Sequence, residues 1–352
     1  MTAIEISNAV KRYPDFTLGP ISMSVAQGEF FGIFGPPSTG KTSILKLILG
    51  LLQPEEGTVT LSGKDGAALD VAERDISMVF QNLALFPHMT GRENIIFPLK
   101  ERGASEKEIE ERLDFVSEVL HVSHILHKNP AQMSGGERQR IALGRAFAAE
   151  SRAMLLDEPI AALDARLREE MRVELKRLQR ENNQTFVYVS HDEEEVMAIS
   201  DRVAVIIDGK IAQIGTPDEV YSTPNSVAVA GVIGSPPMNF FKGTYSASGV
   251  HFNTSSLPTV PITGATRKGG DGTLGVRPED IWLGESEGNP SIDVNVSSVE
   301  PLGSYTIINA YLGDQIVKIR APGQVTLKEN AVQRVSFDLR HLHFFDDVGE
   351  RV

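Results

Sequence analysis

One stretch limits the possible folds more than any other: FFGIFGPPSTGKTSILKLILGLL, residues 30–52. A short apolar run leads into Gly35-x-x-x-x-Gly40-Lys41-Thr42, and an apolar helical run follows at once. Strand, glycine loop and helix in that order form a phosphate-binding loop, because free N–H groups at a helix start face an anion. This requires an α/β sheet. The candidate ATP contacts are Gly35, Ser38, Thr39, Gly40, Lys41, Thr42 and Ser43. Lys41 would bridge the β and γ phosphates, and Thr42 would offer its hydroxyl to Mg²⁺. Pro36 and Pro37 remove donors from the loop, so the useful N–H groups lie from Ser38 onward.

Further short apolar runs, ISMVF, AMLLD, TFVYVS and VAVIID, read as buried strands of the same sheet. Helical patterns lie between them. Ser105 and Glu108 make a capping-box pattern, followed by Ile109, Leu113, Val116 and Leu120 at helical spacing. Another helix follows Asp164, with Leu167, Met171, Leu175 and Leu178 on one face. The run AMLLD ends at Asp157, with Glu158 next. Beside a phosphate loop, an aspartate so placed can hold the Mg²⁺ shell and its neighbour can polarise water. MSGGERQR, residues 133–140, opens another helical run and creates a second anion-binding helix terminus. One nucleotide does not need both from one chain, so the second terminus is expected to serve ATP held by another subunit.

The chain has 352 residues, enough for two or three domains. From about residue 236, β-like runs alternate with Gly, Pro and Asn turns. The expected division is an α/β domain over 1–235, with a helical subdomain at about 85–150, and an all-β domain over 236–352. A net charge of −13 argues against a nucleic-acid partner. Zero cysteines exclude disulfides and thiolate metal sites. Neither a secretory h-region nor an apolar run of about 18 residues is seen, so no membrane span is expected.

These motifs, in this order, resemble the ABC-transporter ATPases. The likeness rests on the phosphate loop, Gln81 in MVFQN, the signature at 133–137, Asp157 and Glu158, the AALD turn ending at Asp164, and His191 in VSHD. The resemblance implies that Gln81 senses Mg²⁺ and the lytic water, Glu158 is the catalytic carboxylate and His191 meets the γ-phosphate. It implies that Thr42, Gln81 and Asp157 hold Mg²⁺, and that Tyr13 stacks on adenine, with Phe16 a nearby competitor. Ser134, Gly135, Gly136 and Glu137 would close over the opposite subunit's ATP, and Asp164 would communicate across the dimer. Leu83, Leu85 and Phe86 would dock membrane subunits. Departures from the family pattern are Pro37 and Ser38 in the loop, Met133 and Glu137 in the signature, and Ala161 before Asp164.

The C-terminal pieces MNFFKG, GVRPEDI, VEPLG and SFDLRHLHFFD look like the accessory domain of the maltose and glycerol-phosphate type importer ATPases. The implied architecture is a P-loop ABC ATPase domain with a helical subdomain, followed by a smaller all-β OB-type regulatory domain. The implied function is ATP-powered import of a carbohydrate. Its partners would be a second copy of the chain, two transmembrane permease subunits and, indirectly, an extracytoplasmic solute-binding protein. The expected location is the cytoplasmic face of a bacterial plasma membrane, as a peripheral subunit. An importer for polyamines, iron or an inorganic anion is the alternative. His121, His124 and His127 recur near a helix end but diverge around it, so they read as structural rather than zinc-binding. His341 and His343 are expected to share one strand face.

Overall fold

Alternating apolar residues build the first hairpin, β1 (Thr2–Tyr13) and β2 (Phe16–Ala26), whose inward set includes Ile4, Ile6, Leu18, Ile21, Met23 and Val25. The continuous run FFGIF becomes β3 (Phe30–Phe34), buried at every residue, as a strand covered on both faces must be. The chain then enters α1 (Lys41–Leu49). Strands β4 (Glu56–Leu61) and β5 (Lys64–Asp65) complete a four-stranded sheet in the order β2-β1-β4-β5. The structure is a computed structural model describing residues 1–262 and 267–352.

Next come β6 (Ile76–Val79), the helices α2 (Gly91–Glu101), α3 (Glu106–Val119) and α4 (Gly135–Ala148), and then β7 (Ala153–Asp157). They are followed by α5 (Ala165–Asn182), β8 (Thr185–Ser190), α6 (Glu193–Ile199), β9 (Arg202–Ile207) and β10 (Lys210–Gly215). A six-stranded sheet results, ordered β10-β9-β3-β8-β7-β6, with only β10 antiparallel to its neighbour. Helix α1 is in the core with both sheets, and Ile44, Leu45 and Ile48 are fully buried. Each contributes roughly 1.5–3 kcal/mol through apolar burial. The buried Arg74 guanidinium donates to Leu47 O at 3.2 Å and Ile48 O at 2.6 Å, satisfying carbonyls at the helix's far end.

The chain divides into two compact units, Met1–Pro217 and Asp218–Val352. This division falls earlier than the change in texture near 235. Two short helices, α7 (Pro217–Ser222) and α8 (Val227–Val232), carry helical patterning into the second unit, and polar contacts tie this segment to residues 277 and 349–351 of the same unit. The Arg277 guanidinium lies 3.7 Å from the centre of the Tyr221 ring and donates to Ile233 O at 2.9 Å. Val227 N donates to Gly349 O, and Arg351 N to Asn225 O, both at 2.8 Å.

The rest of the second unit is antiparallel β. Strands β11 (Asn239–Tyr245), β12 (His251–Thr254), β13 (Val260–Pro261) and β14 (Asp271–Val276) are followed by β15 (Ile281–Leu283), β16 (Ser291–Pro301), β17 (Tyr305–Leu312), β18 (Gln315–Pro322), β19 (Val332–Phe337) and β20 (His343–Asp346). They form two five-stranded sheets, β13-β12-β11-β14-β20 and β15-β19-β16-β17-β18, around one core that includes Phe241, Phe252, Ile308 and Phe337.

Two local expectations fail for identifiable reasons. Ser105 accepts from Glu108 N, but the Glu108 carboxylate pairs with Arg102 at 2.7 Å, so only half the capping box forms. His341 and His343 do not share a strand face. His341 ends a 3₁₀ turn, exposed, with Nδ1 3.0 Å from Asp280, whereas His343 is buried in β20.

Candidate functional site

Four adjacent parallel strands end within two residues of one another in register. Phe34 is in register with Ser190, Asp157 with Val189, and Leu156 with Val79. The residue or loop that follows each strand therefore meets its neighbours above the carboxyl edge, where open α/β sheets bind ligands. In spatial order, β3 delivers the phosphate loop, β8 delivers His191, β7 delivers Asp157 and Glu158, and β6 delivers Gln81.

The loop is held from within. Thr39 Oγ1 donates to Pro36 O at 2.9 Å, and Lys41 Nζ donates to Gly35 O and Pro36 O, each at 2.7 Å. Two glycines have no substitute. A Cβ on Gly35 would sit 2.2 Å from Ile206 O, and Gly40 has φ +93°. Lys41 is buried, and desolvation lowers its pKa against the opposing pull of Glu158 and Asp157. Helices α2 to α6 are each capped by a side chain, from Thr90, Ser105, Ser134, Asp164 and Asp192 respectively. Helix α1 starts at Gly40 with no side-chain cap. Its leading N–H groups remain for an anion, which is the donor set a nucleotide phosphate needs.

Thr42 Oγ1 donates to Asp157 Oδ1 at 3.2 Å. Burial raises the Asp157 pKa, partly offset by the Thr42 hydrogen bond. A hydroxyl and a carboxylate side by side are hard oxygen donors of the kind Mg²⁺ takes, so these residues fit that ion. Glu158 gathers the remaining groups. Its Oε2 accepts from Gln81 Nε2 at 3.2 Å, and its Oε1 lies 2.8 Å from His191 Nδ1. Glu158 is held at φ +50°, which costs a non-glycine residue roughly 1–2 kcal/mol. Its N donates to Val189 O at 2.9 Å on β8. His191 is flanked by anchored residues. Ser190 Oγ and the buried Tyr188 hydroxyl both donate to Glu195 Oε2, at 2.8 and 2.9 Å, while Asp192 caps α6.

Tyr13 and Phe16 lie side by side. They stack on each other, with centres 6.1 Å apart, and the Tyr13 hydroxyl donates to Ser43 Oγ at 3.1 Å. Ser38 is exposed in the left-handed region at φ +62°.

Residues 134–137 stand apart from this cluster: no hydrogen bond among the described residues joins them to residues 35–43. Ser134 and Glu137 form a complete capping box at the start of α4. Glu137 also pairs with Lys128 at 2.8 Å, and these contacts, Lys128 foremost, bring its pKa down to about 2. Asp164 caps α5 through Leu167 N at 3.0 Å. Leu83, Leu85 and Phe86 are half-buried. Arg145 of α4 secures their loop by donating to Leu83 O at 3.0 Å and Ala84 O at 2.7 Å.

Gln139 was missed in the sequence. It is buried on α4 and reaches the backbone around Glu158. Its one signal was position: with Ala142 and Ala146 it lies on the core-facing stripe of the helix, where an amide needs partners.

Site and fold together define a P-loop ATPase with an appended β domain, and the chain belongs to the ABC transporter family. A model of that family matches residues 18–161, a MalK OB fold domain matches 234–281, and a TOBE domain matches 274–345. The chain is 40% identical over 336 residues to the sulfoquinovosyl glycerol transport ATP-binding protein SmoE of Agrobacterium fabrum, covering 94% of this chain and 93% of that protein. It is 40% identical over 360 residues to the sn-glycerol-3-phosphate import ATP-binding protein UgpC of Brucella abortus, covering 100% and 99%. It is 39% identical over 362 residues to the xylose/arabinose import ATP-binding protein XacK of Haloferax volcanii, covering 98% and 94%. Among solved structures, the dimeric bacterial ABC transporter cassette MJ0796 aligns with TM-score 0.57 and 29% identity, covering 61% of this chain and 98% of that one. Its post-hydrolysis state bound to ADP and Pi aligns with the same TM-score at 30% identity.

Proposed function

We propose that the chain is the ATP-hydrolysing subunit of an importer for carbohydrates, taking a sugar, a polyol or a glycerol-phosphate-like solute. The observation that carries the chemistry is the convergence of Lys41, Thr42, Asp157, Glu158, Gln81 and His191 at four adjacent strand ends. Full-length likeness to proteins named for glycerol phosphate, sulfoquinovosyl glycerol and pentose transport supports the carbohydrate reading over polyamines, iron or inorganic anions.

The uncapped start of α1 and Lys41 bind the phosphates. Thr42, Asp157 and Gln81 would hold Mg²⁺, which would supply positive charge to the phosphate oxygens. Gln81 and His191 hold the two oxygens of Glu158 in place, and the carboxylate orients water and takes its proton. Tyr13, paired with Phe16, offers the ring for adenine. Ser134, Gly135, Gly136 and Glu137 close over ATP held by a second copy, and Asp164 carries the signal between the copies. Leu83, Leu85 and Phe86 dock the permease subunits, which receive solute from an extracytoplasmic binding protein. No helix among the described residues is long and apolar enough to cross a membrane. This fits a peripheral subunit on the cytoplasmic face of the plasma membrane.

Glu158→Gln is the test of the catalytic assignment. Hydrolysis should fall by about a hundredfold or more, and the protein should collect as an ATP-bound dimer in size-exclusion chromatography. Turnover at the parent rate would remove Glu158 from its role. Solute-stimulated ATP hydrolysis by the complex with its membrane subunits identifies the load: stimulation by a polyamine or an iron chelate instead of a carbohydrate would overturn that part.

A further inference from the structure

The strained backbone at Glu158 is supported by Ala161 N, which donates to Glu158 O at 3.4 Å within the same turn, and by one side chain from another element. Gln139 Nε2 donates to Glu158 O at 3.0 Å, and Gln139 Oε1 accepts from Ala162 N at 2.9 Å. The side chain is 3% exposed, and the amide grips both ends of the turn that leads from Glu158 towards Asp164. Among the described residues, no other side chain holds the Glu158 carbonyl oxygen.

We propose that Gln139 is a positioning residue for ATP hydrolysis, setting the Glu158 carboxylate through the Glu158 backbone and tying it to helix α4. The proposal rests on the reading of Glu158 as the hydrolytic carboxylate. Gln139 contacts neither the phosphate loop nor its lysine, so it acts on turnover rather than on nucleotide capture. It lies five residues after Ser134 on one helix, about 7.5 Å along the axis. A displacement of the α4 start therefore reaches the Glu158 backbone along a rigid path.

Gln139→Leu removes both hydrogen bonds at similar volume, and kcat should fall about tenfold while the KM for ATP changes less than about twofold. Gln139→Glu gives a sharper readout. Ionised, it can still accept from Ala162 N but presents lone pairs to Glu158 O; protonated, it donates to Glu158 O and accepts from Ala162 N, as the amide does. The kcat of Gln139→Glu relative to the parent should therefore rise several-fold as pH is lowered from about 8 to about 6, because burial favours the neutral acid. A merely structural role would give no such recovery. The proposal is overturned if Gln139→Leu keeps the parent kcat, if kcat and KM worsen together, or if the Gln139→Glu ratio is flat with pH. Glu158→Gln run in parallel separates the two readings. An inactive Glu158→Gln beside a fully active Gln139→Leu sinks the positioning role alone, whereas an active Glu158→Gln sinks the catalytic assignment on which it stands.

Discussion

Ser38, beside Pro37, is one of the two departures of this loop from its family, and its role has two separable parts. Its backbone sits at φ +62°, and its hydroxyl is exposed. Gly and Ala at this position lack the hydroxyl equally, but only Gly relaxes the left-handed backbone, by roughly 1 kcal/mol. If the hydroxyl serves the phosphates, Ser38→Ala and Ser38→Gly should both slow ATP hydrolysis about five- to tenfold, the loss of one hydrogen bond. A Ser38→Gly protein at full rate would assign the position to backbone shape alone, and steady-state hydrolysis decides between them. Lys41, Thr42 and Asp157 were legible because their chemistry sits at fixed offsets from a strand end. Gln139 was not, since its partners lie 19 and 23 residues further on and only folding brings them together.

Helix α4 shows how one element combines stability and chemistry. Its first turn is closed by Ser134, and Glu137 adds a carboxylate where the helix dipole favours one. Lys128 and the Ser134 N–H bring the Glu137 pKa from the ordinary 4.5 to about 2. The stabilisation is therefore complete above pH 4.5 and is lost as pH falls through about 2. Gln at this position cannot titrate. Thermal unfolding of the parent and of Glu137→Gln should give midpoints whose difference is constant near neutrality and shrinks in favour of the variant below pH 4.5. A gap independent of pH would show that Lys128 and the cap contribute nothing through charge. The Ser134 cap could be read from sequence, as could the buried stripe of α3. The half-formed box at Ser105 could not, because nothing local reveals that Arg102 would take the Glu108 carboxylate.

The second unit has its own acid sensitivity. Burial, aided by the charges of Arg351, Arg277 and His341, pushes the His343 pKa down to about 3 from the usual 6.5. Neutral in the folded unit, His343 takes a proton on unfolding whenever pH is below 6.5, so stability drains away between 6.5 and about 3. Trp282, the sole tryptophan, lies on β15 in this unit and reports its unfolding directly. Its fluorescence midpoint should fall between neutrality and pH 4 in the parent and fall less in His343→Gln; equal declines would exclude His343 as the cause. The β texture of this unit was plain in the sequence, but its helical entry was not, because α7 and α8 carry the same patterning as the unit before them. The adjacent ends of β3, β8, β7 and β6 carry a broader consequence. Neighbouring strands lie about 4.8 Å apart in any sheet, so the distances across the catalytic edge are metered by main-chain hydrogen bonds common to all proteins. Core substitutions beneath that conserve volume and strand pairing leave this ruler unchanged while altering how long the protein survives.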